Sequence, residues 1–338
     1  MYSGPNMGGV ESQTLEHVCN KTGSTRHAIL IDPADQTPDT AAKRAVAAVA
    51  AGSKMILVGG SSDTDMDNVN NTVVAIQEAL ELVTWASSQD SGLEEKNWKV
   101  PVVLFPQGAA ALSPAADAIT FMMLMNSKSP RYLIEEQVAG SLFIKKAGIS
   151  PLPMGYIICE PGGKAGEVGQ ADLILPSQTE RISAYATTAE YYGFRIIYLE
   201  AGSGAQNPVS PELIKAAREA CDLTIVVGGG IRDGETAKIA SDAGADWIIT
   251  GNLTESFDNA NALQDVLTEF ISKMNSYLFF IVVSSRSIWA SISKINIICS
   301  SSTLSNLAFS SCSSCARISE IPPPSILRIF SFSNLFSN

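Results

Sequence analysis

The sequence has only two histidines, His17 and His27, and no cluster of lysine and arginine. Its spacing places His17 on a predicted surface helix and His27 at the N-terminal end of the first predicted strand. These two side chains do not assemble a multi-histidine metal site or a nucleophilic triad. A formal net charge of −11 without a basic cluster argues against binding to nucleic acid or to an anionic membrane surface.

The chain has six cysteines in 338 residues, and the first three, Cys19, Cys159 and Cys221, are far apart. Such cysteines are typical of reduced core residues rather than of disulfides or metal ligands. The N-terminus lacks a basic stretch followed by an apolar core, so no secretory signal is predicted and a cytoplasmic protein is expected. The apolar run 278–283 is too short to span a bilayer, so no integral membrane segment is predicted.

Residues 275–338 differ in composition from the rest of the chain. They hold 19 serines in 64 positions and a single acidic residue, Glu320. No helical or strand period persists there, and the isolated pair Cys312 and Cys315 is a weak indication of a zinc or redox site. We therefore expect a flexible N-terminal extension at 1–14, one domain at 15–274 and a disordered or non-native Ser-rich tail at 275–338.

Between these ends, apolar segments alternate with segments of helical periodicity. Eight segments have the character of strands: 27–31, 54–58, 101–105, 118–124, 154–159, 194–199, 223–227 and 247–250. Most are followed by a predicted helix, and each ends in a loop rich in Gly, Asp, Ser or Asn. This alternation predicts an α/β fold with a parallel sheet, and eight units in roughly 250 residues favour a single-domain (β/α)8 TIM barrel over an open doubly wound sheet.

The sixth predicted strand ends in the sequence Tyr-Leu-Glu-Ala-Gly-Ser-Gly at residues 198–204. A carboxylate that closes an apolar strand is costly unless it is paired or functional, which makes Glu200 a candidate catalytic residue. Tyr198 precedes it by two positions and is therefore expected on the same face, at the barrel mouth.

Glycines follow the next two strands, as Gly228, Gly229 and Gly230 and then as Gly251 with Asn252. In such turns the backbone N–H groups can converge on a phosphate, especially ahead of a helix. A tight turn without a ligand would explain the first group equally well. The second group favours a phosphate site, because the loops after strands seven and eight commonly bind phosphate in TIM barrels.

Asp32 and Ser61 end the first two strands and are expected to be neighbours on the same rim. Carboxylate and hydroxyl oxygens suit Mg²⁺ that helps to hold a diphosphate. An Asx turn ahead of Pro33 would explain Asp32 equally well.

Six motifs carry a family resemblance when they are taken together and in order. They are Ile-Leu-Ile-Asp-Pro at 29–33, Val-Gly-Gly-Ser at 58–61, Pro-Met-Gly-Tyr-Ile at 153–157, the 198–204 stretch, Val-Gly-Gly-Gly-Ile-Arg at 227–232 and Thr-Gly-Asn at 250–252. This arrangement resembles the geranylgeranylglyceryl phosphate synthase family, prenyltransferases of archaeal ether-lipid synthesis that have bacterial relatives. The resemblance covers roughly residues 15–270. The Glu-Ala-Gly-Ser-Gly form is similar to the family's second group, whose members tend to be larger oligomers, which implies a homo-oligomer.

The resemblance implies a barrel that joins the geranylgeranyl group of geranylgeranyl diphosphate to the hydroxyl of sn-glycerol 1-phosphate and releases diphosphate. It implies Mg²⁺ bound by Asp32 and Ser61, with Glu200 and Tyr198 beside the attacking hydroxyl. The residues implied to hold glycerol 1-phosphate are Tyr198, Leu199, Glu200, Ala201, Gly202, Ser203, Gly204, Gly229, Gly230, Gly251 and Asn252. The prenyl tail needs an apolar groove, and the candidate lining residues are Phe105, Phe121, Met122 and Leu124. Each of them could equally be a residue of the hydrophobic core.

The chain departs from the family pattern at two loops. After Asp32 and Pro33 the family usually has an acidic residue and then a basic one, whereas this chain has Ala34, Asp35 and Gln36. After the third strand, Gln-Gly at 107–108 replaces the commoner Gly-Asn. The alternatives to a prenyltransferase are another phosphate-binding TIM-barrel isomerase or lyase acting on a phosphosugar, and a catalytically silent barrel that acts as an oligomeric scaffold.

Overall fold

The computed structural model describes residues 12–60, 64–89, 100–251, 253 and 259–276. Two predicted site residues, Ser61 and Asn252, lie outside the described residues. The predicted tail lies outside them beyond Ser276, as does most of the predicted N-terminal extension. Within the described part of the chain, no helix is long and apolar enough to cross a membrane.

Eight parallel strands close into a barrel in chain order, and the eighth pairs with the first. The predicted (β/α)8 TIM barrel is therefore confirmed. The strands are β1 (Arg26–Ile31), β2 (Met55–Gly59), β3 (Val102–Phe105), β4 (Ala118–Leu124), β5 (Ser150–Ile158), β6 (Ile196–Glu200), β7 (Thr224–Gly228) and β8 (Trp247–Thr250). The main difference from the sequence-based prediction is β5, which begins four residues early at Ser150 because Pro151 and Pro153 do not interrupt its pairing with β4.

Helix α1 precedes β1, and the other helices follow most of the strands and cover the outside of the barrel. They are α1 (Gln13–Cys19), α2 (Pro38–Ala51), α3 (Met66–Gln89), α4 (Glu136–Ala147), α5 (Gly163–Val168), α6 (Thr179–Tyr191), α7 (Pro211–Ala220), α8 (Gly234–Asp242) and α9 (Ala260–Met274). A π-helical turn, Arg131–Glu135, leads into α4. Local sequence sets the helix ends: Thr37 caps α2 through its side chain, and Gly52 ends it in the left-handed conformation.

Alternate residues of each strand face opposite apolar layers. One set fills the barrel interior and includes Leu57, Tyr156, Tyr198 and Trp247. The other set packs against the helices in two further clusters. Both faces of every strand are therefore covered, as parallel strands require.

Helix α1 closes the N-terminal end of the barrel. Leu15 and Val18 are buried in the interior cluster, and the Trp247 indole donates to the Val18 carbonyl at 3.0 Å. Arg26 stacks 4.1 Å above the Trp247 ring and donates to carbonyls of α1. His17 lies half-buried on this helix, with its Nε2 3.0 Å from the Lys54 carbonyl oxygen.

The barrel has a seam between β3 and β4. These strands share only two residue pairs, Val103 with Ala118 and Leu104 with Ile119, whereas β4 and β5 share seven. The connection 106–117 forms no helix. The second half of β4 therefore continues without a β3 partner, and α4 with the preceding π-helical turn lies over the gap.

Candidate active site

A polar cavity of about 310 Å³ lies at the C-terminal ends of the strands. Seven of the sequence-predicted site residues line it: Asp32, Tyr198, Glu200, Ser203, Gly229, Gly230 and Gly251. The structure thus brings together residues from β1, β6, β7 and β8, as the strand order of a barrel requires.

Glu200 ends β6 with its side chain buried in this cavity and only 6% exposed. Burial raises the pKa of the carboxyl, while hydrogen bonds from the Tyr198 hydroxyl and the Gly202 backbone N–H partly offset that rise. The Gly202 bond to Oε1 is 2.6 Å long. A carboxylate with a raised pKa and fixed orientation is suited to accept a proton from a bound hydroxyl near neutral pH.

Three aromatic rings form the floor beneath Glu200. Tyr198 lies 5.1 Å from Tyr156 and 5.7 Å from Phe105, measured between ring centroids. Both tyrosines are buried, and desolvation together with the Glu200 charge raises each hydroxyl's pKa well above its usual value. The tyrosines therefore remain neutral and act as hydrogen-bond donors or apolar walls.

The glycines after β6 and β7 allow these two loops to meet. Gly202 and Gly229 both have positive φ, 101° and 82°. A Cβ on Gly229 would collide with Oε1 of Glu200 and lie 2.7 Å from the Gly202 nitrogen, and a Cβ on Gly202 would strike the backbone of Gly162. The backbone of the β7 loop is thus held directly against the catalytic candidate, just before α8 begins.

Arg232 connects the β7 loop, to which it belongs, with the β6 loop. Its guanidinium donates to the Gly204 carbonyl at 3.2 Å and to the Gln206 carbonyl at 3.3 Å. Asp233 then caps α8 by accepting from the Thr236 N–H at 2.7 Å. The β7 loop therefore lines the cavity and leads directly into a capped helix N-terminus, a setting that favours an anion.

The β1 loop contributes two carboxylates to the opposite side of the cavity. Asp32 accepts from the Ala34 N–H at 2.9 Å, so the Asx turn that the sequence allowed is present. Asp35, which follows in the same loop, also lines the cavity. Gly60 packs so closely on the Asp32 carboxylate that a Cβ there would collide with it. No cluster of three His, Cys, Asp or Glu side chains occurs in the described ranges, so any metal held here would also need oxygens from substrate or water.

A second, apolar cavity of about 110 Å³ adjoins the polar one along the β3–β4 seam. Both cavities share Gly60, Phe105, Tyr156 and Ala165. All four residues that the sequence suggested for a prenyl groove line this second cavity: Phe105, Phe121, Met122 and Leu124. We call it the apolar groove.

Side chains rather than strand pairing stabilise the walls of the apolar groove. Thr120 donates to the Leu104 carbonyl at 3.1 Å, and Gln137 of α4 donates to the Met122 carbonyl at 2.5 Å. Glu136 accepts from the Ala109 N–H at 2.7 Å, which ties the helix-free β3–β4 connection to α4. Each bond replaces part of the strand pairing that the seam lacks.

The remaining predicted residues have other positions. Leu199 and Ala201 face the layer between sheet and helices, so only their backbone groups are available to a ligand. Sequence reasoning did not select Lys164 and Asp35, yet both line the polar cavity. The available signal was position: Lys164 follows the glycine pair after β5, and Asp35 follows the Asp-Pro turn.

The histidines take no part in the cavity. His27 is fully buried between Ser53, 2.7 Å from its Nδ1, and Thr250, 2.8 Å from its Nε2. Burial lowers its pKa to about 3, so the ring is neutral at physiological pH.

Comparison with known proteins identifies the relatives of this arrangement. The sequence pattern of the PcrB family matches residues 20–270. The geranylgeranylglyceryl phosphate synthase of Methanococcoides burtonii is 42% identical over 260 residues, covering 77% of this chain and 98% of that protein. The corresponding enzyme of Methanothermobacter thermautotrophicus is 40% identical over 250 residues, covering 74% and 93%.

The chain belongs to the geranylgeranylglyceryl phosphate synthase (PcrB) family.

Solved structures of the geranylgeranylglyceryl phosphate synthase family share the fold. The enzyme from Thermoplasma acidophilum, determined in complex with sn-glycerol-1-phosphate, superposes with a TM-score of 0.69 at 33% identity, covering 78% of this chain and 99% of that one. The enzyme from Thermoplasma volcanium gives a TM-score of 0.68 at 38% identity, covering 80% and 99%. Family membership confirms the resemblance inferred from the six motifs and removes the basis for a phosphosugar isomerase or lyase.

Proposed function

We propose that this chain transfers the geranylgeranyl group of geranylgeranyl diphosphate to the hydroxyl of sn-glycerol 1-phosphate and releases diphosphate, forming the first ether bond of ether-type phospholipid synthesis. The observation that carries the proposal is the junction of a polar cavity containing Glu200 with an apolar groove. A prenyltransferase needs these two environments side by side, because one substrate is a small anion and the other has a long apolar tail.

The phosphate of glycerol 1-phosphate would bind to the backbone of the β6, β7 and β8 loops. Gly229, Gly230 and Gly251 line the cavity there, and α8 begins directly after the β7 loop. Ser203 adds a hydroxyl, and we retain Asn252 in this set from its sequence position beside Gly251. Binding through the unreactive phosphate would position the hydroxyl against Glu200, which reduces the entropic part of the barrier.

Glu200 would accept the proton of the attacking hydroxyl. In the reaction the allylic C–O bond breaks and its electron pair leaves with diphosphate, while the glycerol oxygen forms the new C–O bond to the prenyl carbon. The proton released from that oxygen passes to the Glu200 carboxylate. The Tyr198 hydroxyl would keep this carboxylate oriented. Phe105 and Tyr156 line both cavities, so their aromatic rings border the junction where positive charge would develop on the prenyl carbon.

The diphosphate would bind at the β1 and β2 side of the mouth with Mg²⁺. Asp32 and Asp35 line this side of the cavity, and their carboxylate oxygens would suit a hard divalent cation. Ser61, the next residue after Gly60, completes the set that we propose. When bound, Mg²⁺ neutralises charge on the leaving diphosphate. Lys164 lines the same cavity and supplies a further positive charge.

We infer that the protein acts in the cytoplasm as a homo-oligomer. Ile134, Val138 and Leu142 repeat every four residues along the π-helical turn and α4, and each is more than half exposed. A stripe of this kind suits contact with a second copy. The molecular mass of the purified protein in solution, measured by light scattering, tests this inference, and a monomer would contradict it.

The proposed reaction is tested with the purified full-length protein, geranylgeranyl diphosphate, glycerol 1-phosphate and Mg²⁺. We expect release of diphosphate only when both substrates are present, and a prenylated glycerol phosphate in the organic extract. Chelation of the metal and Asp32→Asn should each suppress the reaction strongly. If no prenyl diphosphate is consumed under these conditions, the proposed function is wrong.

A further inference from the structure

Arg44 is the one charged side chain among the buried residues of α2. The other buried residues of this helix are alanines and a valine, and Arg44 itself is only 8% exposed. A buried guanidinium costs free energy unless its donors are hydrogen-bonded, so an arginine on this alanine-rich face indicates a specific contact.

The contact is with Gln36, which lies in the β1 loop just before the Thr37 cap of α2. The guanidinium of Arg44 donates to Gln36 Oε1 at 2.9 Å. On the other side of the same amide, Gln36 Nε2 donates to the backbone carbonyl of Asp32 at 3.1 Å. Gln36 therefore connects a buried arginine of α2 to the backbone of a residue that we assign to the metal.

Two further hydrogen bonds hold the β1 loop. The Asp35 N–H donates to the same Asp32 carbonyl at 3.2 Å, and the Asn68 amide of α3 donates to the Pro33 carbonyl at 2.9 Å. Asp32 and Asp35 line the polar cavity. Gln36 is not among the described residues that line it, so it acts on the cavity through the backbone of the loop.

A glutamine amide suits this bridge because it carries both a hydrogen-bond acceptor and hydrogen-bond donors. The guanidinium can only donate, so it fixes the amide oxygen toward Arg44 and leaves the nitrogen for the Asp32 carbonyl. Methionine has nearly the same length and shape as glutamine but can make neither hydrogen bond. Gln36→Met therefore removes the bridge and keeps most of the packing.

We propose that Gln36, held by Arg44, is a positioning residue that keeps the β1 loop in the conformation that presents two carboxylates, Asp32 and Asp35, to the metal and the diphosphate. This inference rests on the proposed function, since it takes these two carboxylates as the metal side of the site. Removing a group that orients a metal ligand typically lowers metal affinity about 10-fold to 100-fold. Glycerol 1-phosphate, which we assign to the β6, β7 and β8 loops, should be unaffected.

The test compares the full-length wild type with Gln36→Met by two measurements. One is the Mg²⁺ concentration that gives half-maximal release of diphosphate, and we expect it to rise about tenfold or more in Gln36→Met. The other is the rise in melting temperature on addition of Mg²⁺ with inorganic diphosphate, which requires no turnover and should become smaller. The KM for glycerol 1-phosphate should stay unchanged.

Arg44→Met tests whether Arg44 acts through Gln36. It should weaken Mg²⁺ binding in the same direction but less, and the double variant should show the defect of Gln36→Met alone. Lys43→Met is the matched control, because Lys43 is the neighbouring residue of α2 and its exposed side chain pairs with Asp39. This control should leave the Mg²⁺ dependence unchanged.

An unchanged Mg²⁺ dependence in folded Gln36→Met would overturn the inference. So would an equal rise in the KM for glycerol 1-phosphate, since the whole site rather than the β1 loop would then depend on the bridge. Additive defects in the double variant would refute the role of Arg44. A wild type without turnover would contradict the proposed function, and the change in melting temperature with Mg²⁺ and diphosphate would still decide the inference. A wild type with neither turnover nor that stabilisation would overturn both.

Discussion

Glu200 carries the central chemistry at the scale of single residues. Burial raises the pKa of its carboxyl, and a group with a raised pKa in the folded state favours folding at low pH. That contribution is present below the unfolded pKa and is lost as the pH rises through the folded pKa. At neutral and alkaline pH the buried carboxylate therefore destabilises the fold, a cost that is reasonable at a functional site.

Replacing Glu200 separates its role in catalysis from its effect on the stability of the fold. Glu200→Gln keeps an acceptor for the Gly202 N–H but cannot take up a proton, so we expect kcat to fall about 10²-fold to 10⁴-fold. Because the buried charge is removed, the melting temperature at pH 8 should equal or exceed that of the wild type. Diphosphate release and thermal unfolding measure the two effects. Retained diphosphate release in Glu200→Gln would refute the role of Glu200 as base. Unchanged cellular function in a variant that has lost diphosphate release would support the scaffold alternative.

The hydrogen bond from Tyr198 to Glu200 should affect how the activity depends on pH. Its hydroxyl bond lowers the pKa of Glu200, so Tyr198→Phe should raise that pKa further. The activity of the wild type should fall as the pH drops through the pKa of Glu200, and in Tyr198→Phe this fall should occur at a higher pH. Profiles of kcat/KM against pH provide the measurement.

Tyr156→Phe is the control for the Tyr198 variant. Tyr156 stacks on Tyr198, but the hydrogen bonds that lower the pKa of Glu200 come from Tyr198 and Gly202. Loss of the Tyr156 hydroxyl should therefore leave the acidic limb of the profile where it is. An equal shift in both variants would show that general polarity, rather than the Tyr198 bond, sets the pKa.

At the scale of elements, the strand-end loops form the site by close contact between backbones. Gly229→Ala should lower the affinity for glycerol 1-phosphate by about tenfold or more, because the new Cβ collides with Glu200 and sits at positive φ. Gly193→Ala is a matched control: Gly193 has φ of 79° and no heavy atom within 4 Å of an added Cβ. Both variants should lose about 1–2 kcal/mol of stability from backbone strain.

The affinity for glycerol 1-phosphate should distinguish Gly229→Ala from Gly193→Ala. It can be measured as the KM for glycerol 1-phosphate, and the stability of each variant follows from denaturant unfolding. If Gly193→Ala weakened the substrate as much as Gly229→Ala, strain alone would account for the loss. The contact between the β7 loop and Glu200 would then have no special importance.

The strands and the catalytic candidate could be predicted from the sequence more reliably than the walls of the apolar groove. The eight strands were predictable because each is a short apolar run followed by a loop rich in Gly, Asp, Ser or Asn. Glu200 stood out as a charge at the end of such a run. The groove walls were only candidates, since Phe121 and Met122 have the same local pattern whether they face core or cavity. Whether they face core or cavity is decided by the short pairing of β3 with β4. That pairing is short where the β3–β4 connection forms no helix and where Gln137, from a later helix, binds the Met122 carbonyl.

At the scale of the whole molecule, the family match and the barrel end almost together. The match stops at residue 270 and α9 ends at Met274. We therefore propose that residues 15–274 form the functional domain and that the Ser-rich segment beyond it carries no chemistry. This follows from its composition and from its position outside the family match.

Truncation after Ser276 tests this division. We expect the shortened protein to have the melting temperature and the kcat/KM of the full chain, since every residue of the proposed site precedes position 253. Loss of activity or of cooperative unfolding on truncation would contradict the proposed boundary. The intact mass of the native protein would show whether the segment is present in cells.

The seam between β3 and β4 has a consequence for how the molecule moves. Amide protons in a fully paired barrel exchange with solvent only in large, rare openings, whereas those beside few backbone hydrogen bonds exchange in small ones. Hydrogen–deuterium exchange should therefore label the second half of β4 before any other interior strand. A long-chain donor bound in the groove should slow that labelling, because the tail would take the place of the missing neighbour.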